Sequence, residues 1–300
     1  MARTKNLYPI VKKELRVEKA MYKVESIREI QQLELIIAKE LKRICEENNI
    51  HYFLVGGTLL GSIRHKGFIP WDDDMDIGIL YSDWEKFIHC ARKSCRDMFY
   101  LEDWNQDSNF GYPFAKMRLK RTVMKEKALD DQNVNTGIWV DIFPYLPTDD
   151  AKISSNLKKL EVISKAYLLK VGYKLNLITL SWKVRCLNNL IAFLCMFVTK
   201  STLRKKYDNL INNLISDNPT LYVELDGRFK GAFVFSNDIF NQFQLGAFEE
   251  TKFQIPAKWN EYLSKAYGDY MQLPPVEQRE IGHSLVEVYL EEDISCFIHE

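Results

Sequence analysis

YFLVGGTLLGSIRHKGFIPWDDDMDIGIL, residues 52–80, is the stretch whose reading decides the fold. Tyr52 to Val55 is a short apolar run with strand character, Gly56 and Gly57 interrupt it, and Thr58 to Arg64 reads as a short helix. Glycines at such a corner let the backbone approach a ligand closely, and the free N–H groups at a helix start suit an anion such as phosphate. Thr58 and Ser62, four apart, would present hydroxyls on one side of that helix. A glycine pair before a helix is by itself most often an ordinary tight turn.

The residues that follow change that balance. From Asp74 the pattern alternates acid, apolar, acid, apolar through Met75, Asp76 and Ile77, and on a strand Asp74 and Asp76 would share a face. Two carboxylates roughly 5 Å apart repel by about 3 kcal/mol at an effective dielectric near 20, which a cation between them would relieve. Oxygen ligands select a hard ion, Mg²⁺ or Mn²⁺, of the kind that accompanies substrate phosphates. A solvated acidic turn is the alternative.

Basic and aromatic residues flank the pattern. Arg64, His65 and Lys66 lie between the short helix and the acids, where they would clamp phosphoryl charge or merely form a solvated loop. Trp71 would stack on a base, cap a quaternary ammonium, or pack. Lys116 and Arg118 alternate with apolar residues on a later strand and would bind donor phosphates from one face. Asp141 is a lone carboxylate within the apolar run from Gly137 to Pro144, expensive to bury unless paired or bound to a metal.

Three segments carry a family resemblance. GGTLLGSIRHKGFIPWDDDMDIGI, GIWVDIFP at 137–144 and YLSKAYGDYMQLPP at 262–275 together resemble the LicD family, a branch of the nucleotidyltransferase-fold superfamily. The resemblance implies an α/β (α+β) fold, a nucleotidyltransferase-like small mixed sheet flanked by helices. It also implies metal-dependent transfer of a phosphorylated alcohol, typically phosphocholine, from a CDP-linked donor to a cell-surface glycan or its lipid-linked precursor, with CMP released. Asp141 then becomes the third metal ligand beside Asp74 and Asp76, or the general base, while Gly56, Gly57, Thr58 and Ser62 hold donor phosphates. The alternatives are transfer of the nucleotidyl group itself and a catalytically silent protein of glycan assembly.

The remainder of the chain sets bounds on these readings. Its 300 residues are 46% hydrophobic and carry 41 basic and 41 acidic residues, so no global charge favours a nucleic acid partner. Charge is uneven, with twelve lysines and arginines against the single acid Glu161 between Lys152 and Lys206. That segment, 151–206, reads as basic amphipathic helices inserted into the fold, suited to the surface of an anionic membrane or to packing on the core. The six cysteines show no metal-type spacing and read as reduced thiols, and no apolar run reaches the length of a membrane span. The expected location is cytoplasmic, with peripheral attachment to the inner face of the membrane. The expected organisation is a charged arm (1–24), a catalytic core (25–150), the insertion (151–206), a part completing the core (207–275) and a tail (276–300). Ser82 and Glu85 form a capping-box pattern predicting a helix from 82 to about 95.

Overall fold

A computed structural model describes residues 21–126, 137–173, 181–195, 197–226, 233–279, 285–292, 294 and 296. Leu33, Ile37, Leu41 and Ile44 recur at helical spacing, and all four are fully buried on one face of helix α1 (Ile27–Glu47). A capping box opens α1: the Ser26 hydroxyl accepts from the Glu29 N–H and the Glu29 carboxylate accepts from the Ser26 N–H. The predicted box at Ser82 and Glu85 does not form. Helix α3 (Tyr81–Ser94) begins one residue earlier behind Leu80, without a side-chain cap, because it leaves its preceding strand with no intervening turn.

The central sheet is mixed. It runs in the order β2 (Tyr52–Leu54), β3 (Asp76–Leu80), β7 (Trp139–Thr148), β5 (Ala115–Leu119), β4 (Phe99–Glu102), while β8 (Leu221–Glu224) pairs with the far half of β7 and β9 (Val234–Ser236) with β8. Strands β3 and β7 are parallel, and the other pairs are antiparallel. Helices α1 and α3 pack on this sheet, and helix α2 (Gly56–Arg64) packs against β3 and against β10 (Phe243–Phe248), whose hairpin partner β11 (Thr251–Pro256) lies against β2. This mixed sheet flanked by helices is the α+β class expected.

A smaller sheet joins β1 (Met21–Lys23), β12 (Leu285–Glu291) and β6 (Thr122–Glu126). The expected arm thus ends in a strand and the expected tail supplies that strand's partner; residues 1–20 of the arm and part of the tail lie outside the described residues. The basic segment forms α4 (Asp150–Lys170), α5 (Trp182–Cys195) and the start of α6 (Lys200–Leu214), which runs past the expected boundary at 206. Leu160, Tyr167, Leu203, Tyr207 and Trp104 build a second hydrophobic cluster beneath these helices. A last helix, α7 (Trp259–Tyr267), stops at Gly268 with φ +68°.

Candidate active site

The parallel pairing of β3 with β7 sets Asp76 directly beside Asp141, two residues that the sequence separates by a large part of the core. The antiparallel pairing of β7 with β5 puts Lys116 beside Asp141, and that of β5 with β4 puts Glu102 beside Lys116. Side chains opposite one another in a sheet share a face, so Asp76, Asp141, Lys116 and Glu102 form one charged row across four strands. Lys116 Nζ lies 3.1 Å from Asp141 Oδ1 and 3.8 Å from the centre of the Trp139 ring, and Lys116 is only 3% exposed. That contact is an ion pair without hydrogen-bond geometry, and Asp141 Oδ1 is buried with no hydrogen-bond partner.

The acid loop reaches the same place by a different route. Strand β3 begins at Asp76, so Asp74 lies in the loop before it and not on the strand face that alternation predicts. The loop is pinned from three sides: Gln31 of α1 donates to the carbonyls of Ile69 and Asp72, the Asp141 N–H donates to the Met75 carbonyl, and the Asp76 N–H donates to the Thr58 hydroxyl. Folded this way, Asp72, Asp73 and Asp74 bring carboxylate oxygens within 4.8 Å of one another, the single such acidic triple among the described residues. The charge crowding is legible in the titration of nearby groups. Burial, then the charges of Asp74 and Asp141, hold the Asp76 carboxyl well above the usual range. Burial, then Asp74 and Asp73, do the same to Glu34 of α1, which is 1% exposed with Oε2 unpartnered.

Glycines are required at the start of α2. Gly56 has φ +55°, and a Cβ there would stand 3.1 Å from Asp76 Oδ2; one on Gly57 would stand 2.7 Å from Asp72 Oδ2. The Gly57 and Thr58 N–H groups make no hydrogen bond with the described residues and remain available at the positive end of the helix. The Gly56 N–H is held from behind. It donates to the Tyr262 hydroxyl, which lies 3.0 Å from the Tyr145 hydroxyl, and Tyr145 in turn donates to the buried carboxylate of Glu224. Since Tyr145 gives its proton to Glu224, Tyr262 is the donor to Tyr145, and the hydrogen bonds run in one direction from the glycine corner to the acid.

The other expected residues divide. Ser62 is buried and donates to the Ala247 carbonyl at 2.8 Å, so its hydroxyl faces the hairpin and not a ligand beside Thr58. Arg118, 2% exposed, is spent on the Glu102 carboxylate at 2.5 Å and the Gly137 carbonyl at 2.7 Å, which leaves it a structural cation where donor binding was expected. Arg64 donates to the Tyr270 carbonyl, His65 packs edge-on to Trp71, and Lys66 is exposed at φ +62° with Nζ on the Ile63 carbonyl. Trp71 also carries the Arg279 guanidinium 5.3 Å above its ring. Arg279 and Arg64 bind main-chain carbonyls and no carboxylate among the described residues, and burial followed by the Arg279 charge lowers the Arg64 pKa.

Several contributors carry no local signal in the sequence. Gln31 and Glu34 read as polar residues of an amphipathic helix, and Glu224 as a strand end. Tyr262 and Tyr267 lie in the segment at 262–275, but nothing in their spacing distinguishes them from core aromatics. Tyr267 Oη sits 3.7 Å from where a Gly56 Cβ would be, and burial followed by the Asp76 charge raises its pKa.

The chain is similar to several known proteins. Residues 49–167 match the model described as the LicD/FKTN/FKRP nucleotidyltransferase domain. The lipopolysaccharide cholinephosphotransferase LicD of Haemophilus influenzae is 28% identical over 268 residues, covering 88% of this chain and 98% of that protein. Ribitol 5-phosphate transferase FKRP of Mus musculus is 44% identical over 117 residues, which cover 37% of this chain and 20% of that larger protein. The matched span runs from the entrance of β2 through β7 into α4, so the glycine corner, the acid loop and the charged row all fall inside the part of the chain that is similar to the LicD family.

Proposed function

We propose that the protein transfers a phosphorylated alcohol from a CDP-linked donor to a hydroxyl of a glycan or its lipid-linked precursor and releases CMP. The observation that carries this reading is the in-register meeting of Asp76 and Asp141 on parallel strands beside the glycine start of α2. The relatives named for cholinephosphate and ribitol phosphate transfer support the reaction class.

A hard divalent cation, Mg²⁺ or Mn²⁺, fits the residues present. The donors are all carboxylate oxygens, Asp141 Oδ1 is buried with no partner but its ion pair to Lys116, and Asp76, whose pKa is raised first by burial and then by the Asp74 and Asp141 charges, lies among like charges that a cation would offset. Asp74, Asp76 and Asp141 would hold it, while the carboxylate oxygens that lie within 4.8 Å of one another are those of Asp72, Asp73 and Asp74. When bound, such an ion supplies positive charge to the phosphoryl oxygens. The protein's own groups do the rest. The Gly57 and Thr58 N–H groups face the donor phosphates, Lys116 balances the charge of Asp141, and Arg64 with Trp71 borders the loop. The acceptor oxygen attacks the phosphorus that bears the alcohol, the bond to the bridging oxygen breaks, CMP leaves with the electron pair, and Asp141 is placed to take the acceptor proton.

Incubation with CDP-choline, CDP-ribitol and CDP-glycerol plus Mg²⁺ tests the reading: CMP should accumulate with at least one of them. Transfer of the nucleotidyl group, which the domain's description favours as a second reading, would leave CMP on the acceptor and free alcohol phosphate in solution.

The basic segment offers a site for attachment to an anionic membrane. Trp182, Phe193 and Phe197 are 69%, 55% and 79% exposed amid Lys183, Arg185, Lys200 and Lys205, and no described helix is long and apolar enough to cross a bilayer. Peripheral binding at the cytoplasmic face would bring a lipid-linked acceptor to the site.

A further inference from the structure

Two arginines at the edge of the site lack the partner that arginine usually finds in this protein. Arg28, Arg43, Arg92, Arg96, Arg118 and Arg121 each meet a carboxylate. Arg64 and Arg279, both half-buried, meet none among the described residues. Arg64 donates to the Tyr270 carbonyl at 2.7 Å and, through Nε, to His65 Nδ1 at 3.4 Å, while Arg279 Nε donates to the Pro274 carbonyl at 2.9 Å. These bonds anchor both side chains to the segment that follows α7 and leave most of each five-donor guanidinium fork unused.

A chain of contacts brings the two together. His65, bonded to Arg64, lies edge-on to Trp71 with ring centroids 6.2 Å apart, and the Arg279 guanidinium stands 5.3 Å from the centre of the same Trp71 ring. Burial and then the Arg279 charge lower the Arg64 pKa, so the two cations act on one another. Like charges held together without a counter-ion repel, and an oxyanion between them offsets that repulsion. Guanidinium forks match the oxygens of a phosphate in pairs, a geometry that a lysine does not offer. We propose that Arg64 and Arg279 bind a phosphate group carried by a substrate, apart from the phosphates taken at the glycine corner. Helix α2 separates the two places, because Gly57 lies in its first turn and Arg64 is its last residue; nine residues at about 1.5 Å each span roughly 13 Å. The two phosphorus atoms of a diphosphate share one bridging oxygen and do not cover that length. The phosphate therefore belongs to the acceptor, or to a donor laid along α2 with its nucleotide end at Trp71. The inference rests on phosphate transfer at the acid loop, and it gives that reaction a second anion site.

Isothermal titration calorimetry on the full-length protein provides the test, with chelator present so that no metal contributes. The probes are CMP, for the donor, and glucose 6-phosphate, for a phosphorylated acceptor. The wild type should bind at least one of them, and Arg64→Gln and Arg279→Gln should each weaken that binding at least tenfold. Lys39→Gln, which removes a cation of α1 paired with Glu250, should leave it unchanged. Arg279 is bonded only within its own segment, so Arg279→Gln keeps the test decisive should Arg64→Gln unfold. A loss confined to CMP assigns the site to the donor, and a loss confined to glucose 6-phosphate assigns it to the acceptor. Binding of neither probe by the wild type, arginine variants that bind as the wild type does, or an equal loss in Lys39→Gln would each overturn the assignment. Donor turnover is scored separately as CMP released from a CDP-linked alcohol with metal. Its failure beside an intact binding result would remove the transfer reaction and leave the phosphate site standing.

Discussion

Glu34 and Arg118 show how much of this site is decided by single buried charges. Glu34 is a carboxyl with a raised pKa, so its folded form is penalised once it must ionise. The stability it permits is complete below its unfolded pKa and is lost as pH rises through the higher folded value. In chelator, Glu34→Gln should therefore raise the melting temperature at pH 8 and flatten its decline between pH 5 and 8, as differential scanning calorimetry would show; an unchanged pH profile would mean that Glu34 is not the group responsible. Arg118 poses the opposite case. Removing one partner of a buried ion pair leaves the other uncompensated at about 3–5 kcal/mol, so Arg118→Met should lower stability in urea unfolding by that order. Its folded fraction should keep the wild-type KM for donor, because the guanidinium serves Glu102 and Gly137; a raised KM would restore the donor role that the strand pattern suggested.

At the scale of elements, the strand, glycine corner and short helix were readable from residues 52–64 because glycine and apolar runs act locally. The pairing that matters was not. Asp76 meets Asp141 through a parallel register fixed by burial on both faces of the sheet, and no local periodicity encodes a partner so far along the chain. The acid loop misled for a related reason. Alternation suggests a strand from Asp74, yet hydrogen bonds from Gln31, and from Asp141 to Met75, hold that segment as a loop and gather Asp72 to Asp74. Ser62 misled because helical spacing gives the side of a helix but not what covers it, here the β10–β11 hairpin. The corner itself is testable. Gly56→Ala should cost roughly 1–2 kcal/mol for a side chain at positive φ and crowd Asp76, so donor turnover should fall at least tenfold in protein that still melts cooperatively; near wild-type turnover would show that the corner tolerates a Cβ.

The molecule as a whole divides its labour between a charged sheet face and a basic helical layer. Composition exposed the layer at once, since a run of cations with one acid is visible without any structure. Its third helix and the small sheet that ties the first strand to the last were hidden, because both depend on contacts between distant segments. If the exposed aromatics meet lipid, the protein should sediment with phosphatidylglycerol vesicles and not with phosphatidylcholine vesicles at low salt. Phe193→Glu with Phe197→Glu should reduce that binding at least tenfold without changing CMP release from a soluble donor; equal sedimentation of variant and wild type would detach the layer from the membrane.

Titration with Mn²⁺ followed by electron paramagnetic resonance reaches the account at its centre, because it counts bound ions before any donor or acceptor is chosen. Wild-type protein should bind Mn²⁺ at a carboxylate site, with Asp76→Asn and Asp141→Asn each weakening it at least tenfold. Undiminished binding in Asp141→Asn would contradict the account, for the two strands would then meet without forming one site.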